Sequence, residues 1–224
     1  MIADPRGVRA ELPRMQMLVE IATLVTEAPW TLARTHLNRA KEAGLEEADV
    51  LHAIALASYF GHLNRVADVT GVPLDYDVRQ LPPHADPSVA PWPVAPRLLT
   101  ARPPIELATR ASTAQALTDW RTYIFHRDAP LTRRQRTLIA RWVAHWLGDG
   151  GISPPDDLTI NPLDDALRTL AEEVTCAPWR VSEASFQPLR DAGFDDAAIF
   201  DVCATASSAG VFSRIAVALS ALAS

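Results

Sequence analysis

The segment Ala22-Thr-Leu-Val-Thr-Glu-Ala-Pro-Trp30 returns 149 residues later as Ala171-Glu-Glu-Val-Thr-Cys-Ala-Pro-Trp179. In the same register Ala43-Gly44 falls on Ala192-Gly193. Ala55, Ala57, Ser58, Gly61, Arg65 and Ala67 fall on Ala204, Ala206, Ser207, Gly210, Arg214 and Ala216, and no gap is needed between residues 22 and 67. Recurrence in one register is the signature of a structural unit used twice. Each copy reads as helix, Pro-Trp break, short helix, glycine stop, long helix. Gly44 and Gly193 suit the left-handed position that ends a helix, and Asp195 and Asp196 suit the start of the next. The long helices, expected over residues 46–70 and 195–221, are rich in Ala, Ser and Gly. Small residues let backbones approach closely. Each long helix is therefore expected to pack on the other about a pseudo-twofold axis.

Proline punctuation divides the chain. Nine of its 18 prolines lie between Pro73 and Pro104, so this stretch is expected to be an extended connection. A second break is expected from Gly148 to Pro162. The resulting division is residues 1–72 as the first helical unit, 73–104 as the connection, and 105–224 as intervening helices plus the second unit. Strand signals are poor, with no alternating β-branched run and no Asn-Gly hairpin. Helix signals are strong. Thr132 and Gln135 form a capping-box pattern. Leu138, Ile139, Trp142, Val143 and Trp146 follow at helical spacing, and Gly148 closes the helix. Leu18, Ile21, Leu24 and Val25 mark a further helix over residues 14–26. The fold class expected is all-α.

Charge and cysteine content exclude several function classes. The net charge is -6, and partners such as nucleic acid or an anionic membrane favour a basic surface. Cys176 and Cys203 are the only cysteines and form no Cys-x-x-Cys pair. Residues 1–14 lack the apolar core of a signal peptide. No uninterrupted apolar run approaches the ~20 residues of a membrane span. A cytoplasmic location is the resulting expectation. The six histidines form neither His-x-x-x-His nor His-Glu-x-x-His, so a helix-borne metal site is not expected. No cofactor is expected either.

The polar residues inside the first long helix are the candidates for chemistry. His62 and Arg65 are three apart on one face. A pocket there would have His62 as acid/base and Arg65 as the group binding an anion. The register with the second copy sorts them. Arg65 recurs as Arg214, which favours a structural role. His62 becomes Val211 and Asn64 becomes Ser213, so His62 and Asn64 are the better functional candidates. Glu20, Glu27, His126 and His145 are further titratable residues. Tyr123, Trp142 and Trp146 read as core aromatics.

The stretch Thr35-His-Leu-Asn-Arg-Ala-Lys-Glu-Ala-Gly44, followed by Glu46-Glu-Ala-Asp-Val50 and by Tyr59-Phe-Gly-His-Leu-Asn-Arg-Val-Ala-Asp68 with Gly71-Val72, resembles the carboxymuconolactone decarboxylase/AhpD superfamily. The nearest flavour is its alkylhydroperoxidase-like, "peroxidase-related" branch. Residues 131–143 resemble the helix that leads into that family's active site, and residues 175–218 its C-terminal part. The resemblance implies an AhpD-like helical fold and a homo-oligomer.

Active members of that family are thiol peroxidases with Cys-x-x-Cys-x-x-x-His and a glutamate on the preceding helix. One thiolate attacks the peroxide and the other resolves the sulfenic acid. With His36 as the motif histidine, the cysteine positions hold Pro29 and Leu32. In the second copy they hold Pro178 and Val181, with Ser185 for the histidine. The expected function is therefore cysteine-independent acid/base chemistry on a small oxygenated or acidic molecule. His62, Asn64 and His36 are the catalytic candidates, with Arg65 and Tyr59 as substrate-binding candidates. The alternatives are a catalytically inactive peroxidase descendant that binds or scaffolds, or residual peroxidase activity through Cys176 or Cys203.

Overall fold

A computed structural model describes residues 13–72, 89–99, 111–153 and 161–223. Among them the chain forms eight α-helices: α1 (Pro13–Glu27), α2 (Arg34–Glu42), α3 (Glu47–Thr70), α4 (Ala111–His126), α5 (Arg133–Leu147), α6 (Pro162–Cys176), α7 (Glu183–Asp191) and α8 (Asp196–Ala223). One-turn 3₁₀ helices at Pro29–Thr31 and Pro178–Arg180 follow α1 and α6. The described residues contain no strand, only an isolated bridge between Leu99 and Asp149. The fold is all-α. Of the proline-rich connection only residues 89–99 are described, and they contain no helix.

Local chemistry accounts for the helix ends. Thr132 caps α5: its hydroxyl accepts from the Gln135 N–H at 3.3 Å while its own N–H donates to Gln135 Oε1 at 2.9 Å. Asn161 caps α6 through Asp164 N–H at 2.8 Å, with Pro162 in the first helical position. Gly44, Gly148 and Gly193 all have φ near +80° after α2, α5 and α7, a conformation that costs glycine nothing. Pro29 and Pro178 cannot continue the preceding helix and start the 3₁₀ turns. The helices α1, α2 and α3 begin at residues 13, 34 and 47, and α6, α7 and α8 at 162, 183 and 196, a constant offset of 149.

α8 is the spine. Its first half, from Ile199 to Ala209, joins a core with α5, α6 and α7 built on Leu138, Trp142, Leu167 and Leu189. Its second half, from Val211 to Leu222, joins a core with α1, α2 and α3 built on Ile21, Val25, Leu37 and Ile54. α8 is long and apolar enough to cross a membrane, but 89% of its most apolar window is buried inside the fold. A helix apolar all round is also what a core helix looks like. The two small-residue helices lie against each other, as the sequence leads one to expect. Ser58, Gly61 and Arg65 of α3 and Ser207, Gly210 and Arg214 of α8 are all buried.

Candidate functional site

Two arginines occupy the α3–α8 interface. Arg65 and Arg214 are each under 4% exposed. Each folds back along its own helix and donates to the carbonyl of the glycine one turn before it, Gly61 at 2.8 Å and Gly210 at 3.3 Å. Both also donate to the Thr175 carbonyl at the end of α6, at 3.2 and 3.4 Å. Arg214 Nε donates to the Thr26 carbonyl at the end of α1, at 3.2 Å. The glycines make this fold-back feasible: a Cβ on Gly61 would lie 3.0 Å from Arg65 Nη1, and one on Gly210 2.6 Å from Arg214 Nη1. The Arg65 guanidinium also lies 4.8 Å from the centre of the Trp92 ring. Burial and the neighbouring Arg214 charge push the Arg65 pKa down. Burial pushes that of Arg214 down to about 10. Arg214 remains a cation near neutral pH, and the two arginines together tie the ends of α1 and α6 to the central helix pair.

His62 lies beside this pair and is partly exposed. Its Nδ1 is 2.8 Å from the buried Ser207 hydroxyl of α8. Ser207 in turn has an acceptor of its own in the Ala204 carbonyl at 3.2 Å. Assigned from this network, the imidazole proton sits on Nδ1 and donates to Ser207, which leaves Nε2 with a lone pair. The His62 ring stands edge-on to Trp120 of α4 at 5.1 Å, and Tyr59 meets the same indole at 6.1 Å. Trp120 continues onto Phe212 of α8 at 5.3 Å. Burial, and then the Arg65 charge, lower the His62 pKa. The ring is therefore neutral at neutral pH, as a general base must be.

The other sequence candidates fall elsewhere. Asn64 is exposed on α3. His36 closes the first turn of α2: its Nδ1 accepts the Ala33 N–H at 3.1 Å, and its Nε2 lies 3.8 Å from Glu20. Glu20 is held by both terminal nitrogens of Arg39, at 2.7 and 2.9 Å. His126 and His145 are exposed, and Trp142 and Trp146 belong to the core, as their spacing predicts; Tyr123, read with them as a core aromatic, is instead 61% exposed on α4, with the Arg127 guanidinium 4.3 Å over its ring. Among the described residues no three His, Cys, Asp or Glu side chains are placed to hold one metal ion.

Sequence reasoning missed Ser207 and Trp120. Ser207 recurs as Ser58 and looked like packing. Trp120 had no partner until α4 was placed in space.

Both cysteines are buried and free. Burial pushes the Cys176 thiol up to about 11 and the Cys203 thiol up to about 12. Neither is a thiolate at neutral pH, and the thiolate is the nucleophile that attacks a peroxide.

Asp149, just beyond α5, is a buried carboxylate with two hydrogen bonds: from Ser213 Oγ at 2.8 Å and from the Gly151 N–H at 3.0 Å. Burial outweighs these bonds and raises its pKa. Folding then favours the protonated carboxyl. The stability it contributes is present below the unfolded-state pKa and is lost as pH rises through the raised folded value. Asp149→Asn keeps the amide within reach of both partners. Its unfolding free energy is expected to exceed that of the wild type at neutral pH, with the gap closing as pH falls toward 4. A gap independent of pH in denaturant titrations would contradict this.

Comparison of the chain with protein-family models, with curated proteins and with solved structures finds no match.

Proposed function

We propose that this protein is an AhpD-like enzyme that works without a redox dithiol. It performs acid/base chemistry on a small oxygenated or acidic molecule, with His62 as the group that moves the proton. The repeated helix order with its constant offset supports two related units about a pseudo-twofold axis. The observation that carries the functional reading is the His62–Ser207 contact. A buried hydroxyl holds Nδ1, which fixes the ring and its tautomer and leaves Nε2 for a substrate proton. Tyr59 and Trp120 supply an apolar wall for the substrate. Ser207 positions the base and is too buried to attack a substrate itself. Arg65 contributes through its field: its two terminal nitrogens donate to the carbonyls of Gly61 and Thr175 and the guanidinium is buried, so the anion-binding role it suggested in sequence is not part of this proposal.

The test is turnover of a panel of small lactones and 2-oxo acids. His62→Gln should lower it by about 10²-fold or more. The rate should fall at low pH with an apparent pKa below the usual ~6.5 of histidine, because the depressed His62 must be neutral to act. Unchanged turnover in His62→Gln would overturn the proposal.

A second reading, a non-catalytic descendant that binds or scaffolds, is favoured by one observation. The arginine most like a ligand-binding residue is buried, and both its terminal nitrogens hold helix carbonyls. Absence of turnover in the wild type across the panel would favour that reading. The raised thiols weigh against residual peroxidase activity through Cys176 or Cys203.

A further inference from the structure

We propose that the face between the ends of α5 and α6 is a docking groove for a proline-rich segment with a tryptophan anchor, and that residues 89–99 are its built-in occupant. The segment reads Val89-Ala-Pro-Trp-Pro-Val-Ala-Pro-Arg-Leu-Leu99. Its backbone meets the body at spaced points. The N–H groups of Trp92, Ala95 and Leu99 donate to the carbonyls of Cys176 at 2.8 Å and of Trp146 and Gly148 at 2.7 Å. Those carbonyls end α6 and α5, where a helix supplies no partner of its own. In return the Val89 carbonyl accepts from Arg180 Nη2 at 3.0 Å, and the Leu99 carbonyl from the Gly150 N–H at 2.6 Å. Pro91, Pro93 and Pro96 have no N–H to donate, and they fall between the donor positions.

The groove is shaped for a backbone. A Cβ on Gly148 would lie 2.9 Å from the Arg97 carbonyl oxygen, and one on Gly150 2.4 Å from that of Leu99. These two glycines let the segment lie directly on the loop after α5. One aromatic side chain anchors it. The Trp92 ring centre is 4.8 Å from the Arg65 guanidinium, and the ring stands edge-on to Trp179 at 5.1 Å. Aromatic walls are how grooves take proline-rich segments, whose fixed φ makes them cheap to order.

The segment sits on the fold as a ligand does. Of its residues only Leu99 belongs to either hydrophobic core, and Val89, Val94 and Leu98 point their apolar surface outward. Water can take over the three helix-end carbonyls when it leaves. Departure also uncovers Arg65, whose buried Nε has no acceptor in the docked state. A tethered occupant competes at the high effective concentration of an intramolecular ligand. A segment of the same chemistry from another protein therefore gains the groove once the strap is weakened. This inference does not depend on His62 acting in catalysis.

Two measurements test it. In hydrogen exchange of the full chain, the amides of Trp92, Ala95, Leu99 and Gly150 should open together, about 100-fold or more faster than the core amides of α8. Exchange of these four at the α8 rate would make the segment an integral part of the fold and overturn the proposal. The second measurement is fluorescence anisotropy of a dye-labelled peptide with the sequence of residues 89–99. It should bind the Trp92→Ala chain, and bind the wild type about tenfold or more weakly, because the intact strap competes. The same peptide carrying Trp92→Ala should bind neither. Absence of binding to the folded Trp92→Ala chain, or equal binding to both chains, overturns the proposal. Should Trp92→Ala lose its helical circular dichroism, Trp92→Phe is read in the same way.

Discussion

Asp201→Ala is expected to cost about 3–5 kcal/mol of stability, because it strands a fully buried guanidinium. Arg136 has no exposed surface and donates to both carboxylate oxygens of Asp201. The remaining donors reach the carbonyls of Ile124 and Arg127 at 3.1 Å, Ala129 at 3.2 Å and Leu131 at 3.3 Å. Asp201 also accepts the Leu131 N–H at 3.2 Å and a nitrogen of Arg127. One carboxylate on α8 thus organises the entire corner between α4 and α5.

Removing only the anion leaves the cation desolvated, and carbonyl dipoles do not neutralise it. The double replacement Arg136→Met/Asp201→Leu removes both charges and should lose far less than Asp201→Ala alone. Urea unfolding of the three proteins checks this. If Asp201→Ala lost under about 1 kcal/mol, the carbonyls alone would be sufficient compensation. The Arg134–Asp164 pair is the contrast. Its arginine is half exposed, and pairs in contact with solvent are worth about 0–1 kcal/mol.

Gly210→Ala is the second large effect expected, and its sign is the informative part. Within a helix, glycine to alanine ordinarily gains about 1 kcal/mol. Gly210 has no positive φ, so its backbone does not require glycine. Space requires it. The added Cβ would lie 2.6 Å from Arg214 Nη1, and Arg214 is held by the carbonyls of Thr26, Thr175 and Gly210 itself. A free arginine would swing aside. This one cannot do so without leaving buried donors unsatisfied.

The expected net loss is about 1–3 kcal/mol, the range for overpacking a filled interior. Gly61→Ala, at 3.0 Å from Arg65 Nη1, should lose less. Thermal unfolding of both variants gives the order directly. A stabilised Gly210→Ala would mean that the arginine relaxes freely, and its tie to the ends of α1 and α6 would then be weak.

The features readable in advance are those that local chemistry decides. Thr132, Gly44, Gly148 and Gly193 end or begin helices because a hydroxyl and a missing Cβ satisfy the backbone at those positions. The tryptophans of α5 were placed in the core by spacing alone, since a 3.6-residue period puts them on one face. Predicted helix limits differ from the observed ones by one or two residues: 14–26 against Pro13–Glu27, and 195–221 against Asp196–Ala223. Helix ends fray over that range.

The candidate site was only half readable. His62 and Arg65 were found because a histidine and an arginine interrupt an apolar helix. Their roles then separated for reasons that sequence did not carry. Arg65 meets Thr175 across 110 residues, and His62 meets Ser207 across 145. His36 stood where a motif histidine would stand, yet its ring closes a helix turn, because an N3 side chain reaches back to the cap N–H more readily than to anything distant. Arg136 and Asp201 raised no signal. In a string of residues each is one more charge on one more helix.

Sequence by itself determined the helical class, the two matching helix orders and the glycines that let two arginines lie flat against their own helices. These depend on residues three or four apart, where backbone geometry leaves few alternatives. Only the tertiary structure decided which matched positions become different surroundings. α8 is covered by α4 and α5 and becomes core, while on the corresponding side of α3 Leu56, Tyr59, Phe60 and Leu63 stay between 40% and 56% exposed. That difference depends on which helix reaches which face, and packing settles it.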